Sequence, residues 1–189
     1  MTNLFSIDAE GIVEGARQVA SPNFDERSCS GSLAEGLDLI VLHNISLPPQ
    51  QYGADWIEKF FCNQLPGDEH PYFAEICNQK VSAHLLIYRT GELVQFVPLL
   101  KRAWHAGASN YQGRERCNDF SIGIELEGSD DEPFEPIQYQ MLLKVLRSLI
   151  AHYPNLQAEH IVGHSDIAPE RKTDPGPYFD WALLRNYLS

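Results

Sequence analysis

The residues with the clearest capacity for chemistry lie near the C-terminal end of the chain, in residues 164–177 (HSDIAPERKTDPGP). This segment sets an imidazole, an ammonium group and a carboxylate, those of His164, Lys172 and Asp174, within eleven positions. Proline restricts its own backbone dihedral angles and those of the residue before it. The Asp-Pro-Gly-Pro ending therefore loses little conformational entropy when it adopts a single conformation. The segment therefore predicts most of a metal-hydrolase site, with one ligand still to come from elsewhere.

The missing ligand has to be found among the remaining histidines, because a hydrolytic zinc site typically has three protein ligands and one open position. His43 is the best candidate, since it ends an apolar strand next to turn residues, as His164 does. Spacing alone is weak evidence for a ligand set of His43, His164 and Asp174. His43 and Asp174 lie about 130 positions apart, and the set matches no compact zinc motif. His43 could equally be a strand histidine satisfied by backbone hydrogen bonds, and Asp174 an Asx turn.

Composition narrows the class of protein. A chain of 189 residues with 43% hydrophobic content predicts one domain with a good core. The net charge of -12 argues against nucleic acid and anionic membranes as partners, because both need a basic footprint. Residues 1–10 lack the features of a signal peptide, and no segment is apolar enough to span a bilayer. The four cysteines include no Cys-x-x-Cys pair, which favours a reducing compartment, and we expect a cytoplasmic location.

The strands that must position these residues are visible as apolar runs. Residues 37–45 predict a buried central strand with His43 near its end. Residues 84–89 and 92–97 flank Thr90-Gly91, where glycine can take the positive φ of a tight hairpin turn. In residues 120–127, apolar and polar side chains alternate as in a half-buried strand, which puts Glu125 and Glu127 on the same face.

Helices alternate with these strands. Apolar spacing predicts a short helix over 54–65, a long one between Pro136 and Pro154, and a last one capped by Asp180. Residues 62–80 and 103–118 are predicted to be long loops near the site. Because the hairpin requires an antiparallel pair within an otherwise alternating pattern, we predict an α/β fold with a central mixed sheet flanked by helices.

Five ordered sequence blocks identify a family. The chain resembles the type 2 N-acetylmuramoyl-L-alanine amidases, in particular the cytosolic members that act on 1,6-anhydro muropeptides in peptidoglycan recycling. The resemblance covers about residues 20–182 and is carried by residues 42–49 (LHNISLPP), 81–84 (VSAH), 102–107 (RAWHAG), 117–128 (CNDFSIGIELEG) and 167–176 (IAPERKTDPG). It implies a single zinc amidase domain over residues 1–189 with a type 2 amidase or peptidoglycan-recognition fold.

The resemblance also implies a site. Zinc would be bound by His43, His164 and Asp174, and Glu125 and Lys172 would be the catalytic groups. Alternation along the strand cannot separate Glu125 from Glu127, and the family pattern favours Glu125 as the general base. His84 and His105 stay outside the predicted ligand set. His84 is expected to support a ligand from behind or to lie in the core, and His105 to line the cleft without touching metal.

The substrate implied is 1,6-anhydro-N-acetylmuramic acid carrying a short peptide, cleaved between the lactyl group and L-alanine. Six basic residues between Lys80 and Arg116 predict a local positive site for the peptide carboxylates. Arg116 is the preferred carboxylate clamp and Lys80 the second choice, with ordinary surface solvation the alternative. Trp104 is predicted to stack on the sugar, unless it is a core tryptophan, and Asn44 to hydrogen-bond the substrate.

Two other functions share this fold. One is a noncatalytic module that recognises muropeptides or peptidoglycan, which should lack a complete metal set and a catalytic carboxylate. The other is an amidase that acts on polymeric murein, which should carry a secretion signal. The residues present favour the recycling enzyme.

Overall fold

The computed structural model describes residues 4–27 and 32–188. Within them the strands are β1 (Arg17–Gln18), β2 (Phe24–Asp25), β3 (Leu39–Ile45), β4 (Leu85–Ile87), β5 (Leu93–Gln95), β6 (Arg102–Ala103), β7 (Asn110–Tyr111), β8 (Arg114–Glu115), β9 (Ser121–Glu127) and β10 (Ile161–Gly163). The helices are α1 (Trp56–Phe61), α2 (Pro71–Ile76), α3 (Pro136–His152), α4 (His164–Ile167) and α5 (Trp181–Leu188).

A six-stranded sheet forms the centre of the molecule, with strand order β1-β5-β4-β9-β3-β10. β4 and β5 are antiparallel, as the Thr90-Gly91 turn predicts, and Gly91 has a φ of +83°. The other neighbouring pairs in this sheet are parallel. The predicted α/β class with a mixed sheet is therefore confirmed.

The long helix α3 and the last helix α5 cover one face of the sheet. α3 begins with Pro136 at its first position, and the Gln138 side chain accepts the Glu135 N–H at 3.0 Å. Its apolar stripe packs on Ile122, Ile124 and their neighbours in the largest hydrophobic cluster. Asp180 caps α5 as predicted, since its carboxylate accepts the Leu183 N–H at 2.8 Å.

The opposite face carries the shorter helices. The predicted helix over 54–65 is real but shorter, and α2 lies inside the stretch predicted to be a loop. α2 begins at Pro71, and the His70 ring accepts the Tyr72 N–H at 3.1 Å. Phe73 and Ile76 then anchor it in a second hydrophobic cluster with α1. Pro71 at the start of α2 is a sequence signal for a helix that the loop prediction did not take into account.

The strand β9 differs from the prediction in one respect. Its alternation has the expected direction, but all seven residues are buried, so it is not half exposed. The polar face is covered because the rings of His84 and His105 lie against Gly123, and the backbone N–H groups of Gly53 and Arg89 bind the Glu127 carboxylate. The polar side chains of β9 therefore face an interior cleft and its walls.

Three cysteines, Cys62, Cys77 and Cys117, are free thiols, and Cys29 lies outside the described residues. No helix within residues 4–27 and 32–188 is long and apolar enough to cross a membrane.

Candidate metal centre

Three parallel strands bring the first groups of the site together. β3 and β9 pair so that His43 lies directly beside Glu125, and side chains paired in parallel strands leave the sheet on the same side. β10 pairs with the other edge of β3 and ends with Gly163 beside Leu42. The next residue, His164, therefore lies next to His43, and it begins α4 directly after the strand.

The Asp174 segment is tied to the same sheet edge by backbone contacts. The Ser165 N–H donates to the Asp174 carbonyl at 3.0 Å. A Cβ atom at Gly163 would lie 2.8 Å from Pro175 Cδ, so this close approach requires glycine. The Asn44 amide donates to the Pro175 carbonyl at 3.1 Å and to Asp130 at 2.6 Å. Asn44 thus holds the loop that carries Asp174.

His43, His164 and Asp174 form a cluster that can hold a metal ion. His43 Nδ1 lies 3.0 Å from His164 Nδ1 and 2.9 Å from Asp174 Oδ2, and the last two atoms are 3.1 Å apart. A tetrahedral ion with bonds of about 2.0–2.1 Å places its ligands about 3.3 Å apart. The three atoms therefore fit one divalent ion after a small expansion, and a set of two nitrogens and one oxygen suits zinc.

Burial shapes the charge of this cluster. It lowers the pKa of His43 to about 4, against the opposing effect of the neighbouring Asp174 carboxylate. Burial would raise the pKa of Asp174, but the adjacent His164 and His43 rings outweigh it, and the net shift is strongly downward. A neutral imidazole and an ionised carboxylate are the forms that bind metal.

Glu125 is buried beside this cluster and differs sharply from Glu127. Burial, and then the charge of Asp174, raise the pKa of Glu125 well above its usual 4.5, while Lys172 opposes the shift. Glu125 Oε2 has no hydrogen-bond partner among the described residues. The Glu127 carboxylate instead accepts the N–H groups of Gly53 at 2.7 Å and Arg89 at 3.0 Å. Of these two glutamates, Glu125 is the one with an oxygen that no described residue binds, and this oxygen can meet a reactant.

A cleft of about 470 Å³ opens over these groups. Its walls include the three cluster residues, Glu125, Lys172, Asn44 and Trp104, together with His105 and the apolar side chains of α1 and α2. A cleft of this size with a few convergent polar groups is typical of a small-molecule site. The sequence-predicted metal and catalytic residues therefore lie in one cavity.

The two predicted carboxylate-binding residues lie elsewhere. Lys80 is exposed between Gln79 and Val81, which line the cleft, but is not itself part of the wall. Arg116 lines a separate cavity of about 580 Å³, because the chain turns there with a φ of 61° into the 3-10 turn Cys117–Asp119. Its guanidinium lies 3.3 Å from Asp119.

The predicted concentration of positive charge is also weaker than the sequence suggests. Five of the six basic residues lie within ion-pair distance of a carboxylate, namely Arg89, Lys101, Arg102, Arg114 and Arg116. The neighbouring carboxylates therefore largely cancel the positive electrostatic potential that would attract an anionic substrate to this region.

Sequence reasoning left His105 without a role, and the structure gives it contacts with the cluster. Its Nδ1 lies 2.9 Å from His43 Nε2. His84 is fully buried on the other side of this ring, and its Nδ1 accepts the Gly123 N–H at 3.0 Å. The only sequence signal for His105 was its place in the Trp-His-Ala-Gly block.

The fold and the site together define an α/β protein with a candidate two-histidine, one-aspartate metal centre in a small-molecule cleft. The chain belongs to the N-acetylmuramoyl-L-alanine amidase family, whose model matches residues 34–177. It is 55% identical over 180 residues to the 1,6-anhydro-N-acetylmuramyl-L-alanine amidase AmpD of Escherichia coli K12, covering 95% of this chain and 96% of that one.

Solved structures agree with this assignment. A crystal structure of selenomethionine AmpD superposes with a TM-score of 0.90 at 53% identity, covering 97% of this chain and 99% of that one. The amidase AmiD of E. coli, in complex with its substrate anhydro-N-acetylmuramic acid-L-Ala-D-gamma-Glu-L-Lys, has a TM-score of 0.60 at 30% identity and covers 87% of this chain and 65% of that one. The family resemblance of the five sequence blocks is confirmed.

Proposed function

We propose that this protein is a zinc-dependent amidase of peptidoglycan recycling. It hydrolyses the amide between the lactyl group of 1,6-anhydro-N-acetylmuramic acid and L-alanine in muropeptides. The observation that carries the proposal is the convergence of His43, His164 and Asp174 in a cleft of an N-acetylmuramoyl-L-alanine amidase. Beside them lies a Glu125 oxygen with no hydrogen-bond partner in the part of the chain that the structure describes. The names of AmpD and the substrate bound by AmiD support the choice of an anhydromuropeptide.

The three cluster side chains would hold zinc, whose chemistry when bound is to polarise a carbonyl and to lower the pKa of water to about 7. Glu125 acts as general base and accepts the proton of the attacking water. The Lys172 ammonium group stabilises the negative charge that grows on the former carbonyl oxygen. Glu125 then returns the proton to the departing amine of L-alanine. Its raised pKa suits both steps, because the group can hold the proton between them.

The cleft walls would provide substrate binding. Trp104 would offer an aromatic face to the sugar. Asn44 donates both of its amide hydrogens to Asp130 and Pro175, so its side chain would bind the substrate through the carbonyl oxygen. Arg116 and Lys80 remain proposed contacts for the peptide carboxylates. Both lie outside the cleft wall, so they would reach only a peptide that extends beyond it.

The test is cleavage of an anhydromuropeptide by zinc-loaded and chelator-treated protein, followed by mass spectrometry. Release of free 1,6-anhydro-N-acetylmuramic acid and the intact peptide only with zinc, restored when zinc is added back, supports the proposal. Elemental analysis of the purified protein identifies the resident metal. Metal-independent cleavage, or cleavage within the peptide, contradicts it.

The same experiment separates the alternatives. A noncatalytic recognition module would bind the anhydromuropeptide and release nothing, and an amidase of polymeric murein would release peptides from intact sacculi. We further propose that residues 1–189 act as one zinc amidase domain in the cytoplasm. Fractionation of cells that produce the tagged protein tests this location.

A further inference from the structure

His105 links the first candidate ligand to the sheet beneath it. His105 Nδ1 lies 2.9 Å from His43 Nε2, and the two rings meet edge to face with centroids 5.1 Å apart. The other ring nitrogen, His105 Nε2, lies 3.1 Å from Ser121 Oγ. One continuous chain of hydrogen bonds therefore runs from His43 through His105 to Ser121 on β9.

The far end of this chain determines the position of every proton in it. Ser121 Oγ donates to the Cys117 carbonyl at 2.6 Å, and a carbonyl can only accept. Since the hydroxyl proton is used there, the hydrogen bond with His105 Nε2 needs its proton from the ring. A neutral imidazole carries one N–H, so His105 Nδ1 is an acceptor and His43 Nε2 must donate to it. The lone pair of His43 is then on Nδ1, the atom that faces His164 and Asp174.

The second histidine is oriented by the residue that follows His105. His164 Nε2 lies 3.1 Å from the Ala106 carbonyl, which can only accept, and 3.4 Å from Arg171 Nη2. Both hydrogens of Arg171 Nη2 go to backbone carbonyls, so His164 Nε2 carries the hydrogen of the ring and the lone pair is also on Nδ1. The Arg171 guanidinium donates to the Ala106 carbonyl at 2.6 Å and to the Ala108 carbonyl at 2.8 Å. The adjacent residues 105 and 106 thus set the tautomers of both histidines.

We propose that His105 is a positioning residue for the metal centre, which keeps His43 in the Nε2–H form and its Nδ1 lone pair directed at the metal. The inference rests on the proposed metal site. Gly123 supports it independently: a Cβ atom there would lie 2.4–2.7 Å from the His105 ring atoms, so the ring occupies the space of a side chain on β9. The fold reserves that space for His105.

Zinc affinity tests this role without measuring turnover. His105→Phe keeps a ring of similar size and removes both nitrogens, and partners that orient a ligand in this way typically contribute 10–100-fold to metal affinity. We expect the zinc dissociation constant of His105→Phe, measured by competition with a chromophoric chelator, to rise about 10–100-fold. His105→Asn places an acceptor where Nδ1 lies and should recover part of the loss. Ser121→Ala should show a smaller loss.

The matched control is His152→Asn, because His152 is exposed at the end of α3. Its zinc affinity should equal that of the wild type. Melting curves in chelator show whether each variant still folds without metal. His105→Phe that folds and binds zinc within twofold of the wild type overturns the proposal. Wild-type protein that binds no zinc overturns the proposed metal site as well, so the two failures are distinguishable.

A spectroscopic measurement on the wild type covers the case in which His105→Phe does not fold. Long-range 1H–15N spectra of protein labelled with 15N-histidine report which ring nitrogen carries hydrogen. In the zinc-loaded protein we expect hydrogen on Nε2 of His43 and of His105, and on Nε2 of His164. A His43 or His105 ring with its hydrogen on Nδ1 overturns the inference.

Discussion

The two glutamates of β9 give the sharpest prediction, because the same Glu→Gln substitution should lower turnover at position 125 and lower stability at position 127. Glu125 is buried, and its Oε2 has no hydrogen-bond partner among the described residues, whereas Glu127 accepts two backbone N–H groups at 2.7 and 3.0 Å. Glutamine has nearly the same shape as glutamate and no charge. Glu125→Gln therefore tests the role of the carboxylate in catalysis, and Glu127→Gln tests its contribution to folding stability.

The magnitudes follow from these contacts. Glu125→Gln removes the general base, which should lower kcat by about 10²–10⁴, or about 2.7–5.4 kcal/mol of transition-state stabilisation. It should leave stability equal or higher, because a costly buried carboxylate is removed. Glu127→Gln keeps one acceptor and turns an amide donor toward the other N–H group. Losing one charge-assisted hydrogen bond costs about 1.5–3 kcal/mol, or roughly 3–12 °C in Tm for a chain of this size.

Release of the free sugar from an anhydromuropeptide, followed by chromatography, measures the first effect, and thermal unfolding of the zinc-loaded variants measures the second. Zinc content should be unchanged in both. The reasoning is refuted if Glu125→Gln retains near-normal turnover, or if Glu127→Gln is the variant that loses turnover while keeping its Tm.

The remaining predictions concern the metal, an ion pair and the core. Chelation should abolish cleavage and lower the Tm by roughly 5–10 °C, since zinc at a hundred times its dissociation constant contributes about 2.7 kcal/mol; an unchanged Tm would count against a metal centre in this cleft. The hydrogen bond from Arg17 at 2.6 Å lowers the pKa of Glu58 below 4.5, against the opposing effect of burial. Glu58→Gln should therefore cost about 1 kcal/mol at pH 7, and in urea titrations this cost should be lost as the pH falls from about 4.5 through the lowered pKa of Glu58; an equal cost at pH 7 and below that pKa would exclude the ion pair as its cause. Leu142→Ala, at a fully buried position of α3, should cost about 2–5 kcal/mol in urea unfolding and leave zinc affinity unchanged; a cost below about 1 kcal/mol would mean that the core collapses around the gap.

The elements that sequence reasoning found are those with a strong local signal. The hairpin around Gly91 follows from one residue that can take a positive φ, and α3 follows from apolar spacing between two prolines. The helix α2 was missed because six residues carry too little periodicity to separate a helix from a loop. The burial of β9 was missed for another reason: the segment that covers it lies outside the strand, and alternation within a strand does not reveal what packs on its polar side.

For the site, the residue types available can be read directly from the chain, and the family blocks indicate which of them to combine. Alternation along β9 could not choose between Glu125 and Glu127, because both side chains leave the strand in the same direction, and the choice of Glu125 came from the family pattern. The hydrogen bonds in the structure distinguish them, because the backbone N–H groups of Gly53 and Arg89 donate to the Glu127 carboxylate.

Tertiary structure alone decided the geometry of the cluster and its supports. His43 and Asp174 are remote in the chain. The pairing of β3 with β10, and the hydrogen bonds that tie the Asp174 segment to Ser165 and Asn44, bring His43 Nδ1 to 2.9 Å from Asp174 Oδ2. The same packing sets His105 against Gly123 and moves Arg116 out of the cleft. Hydrogen bonds between distant segments depend on relative position to within tenths of an ångström, and local sequence patterns specify the elements but not that distance.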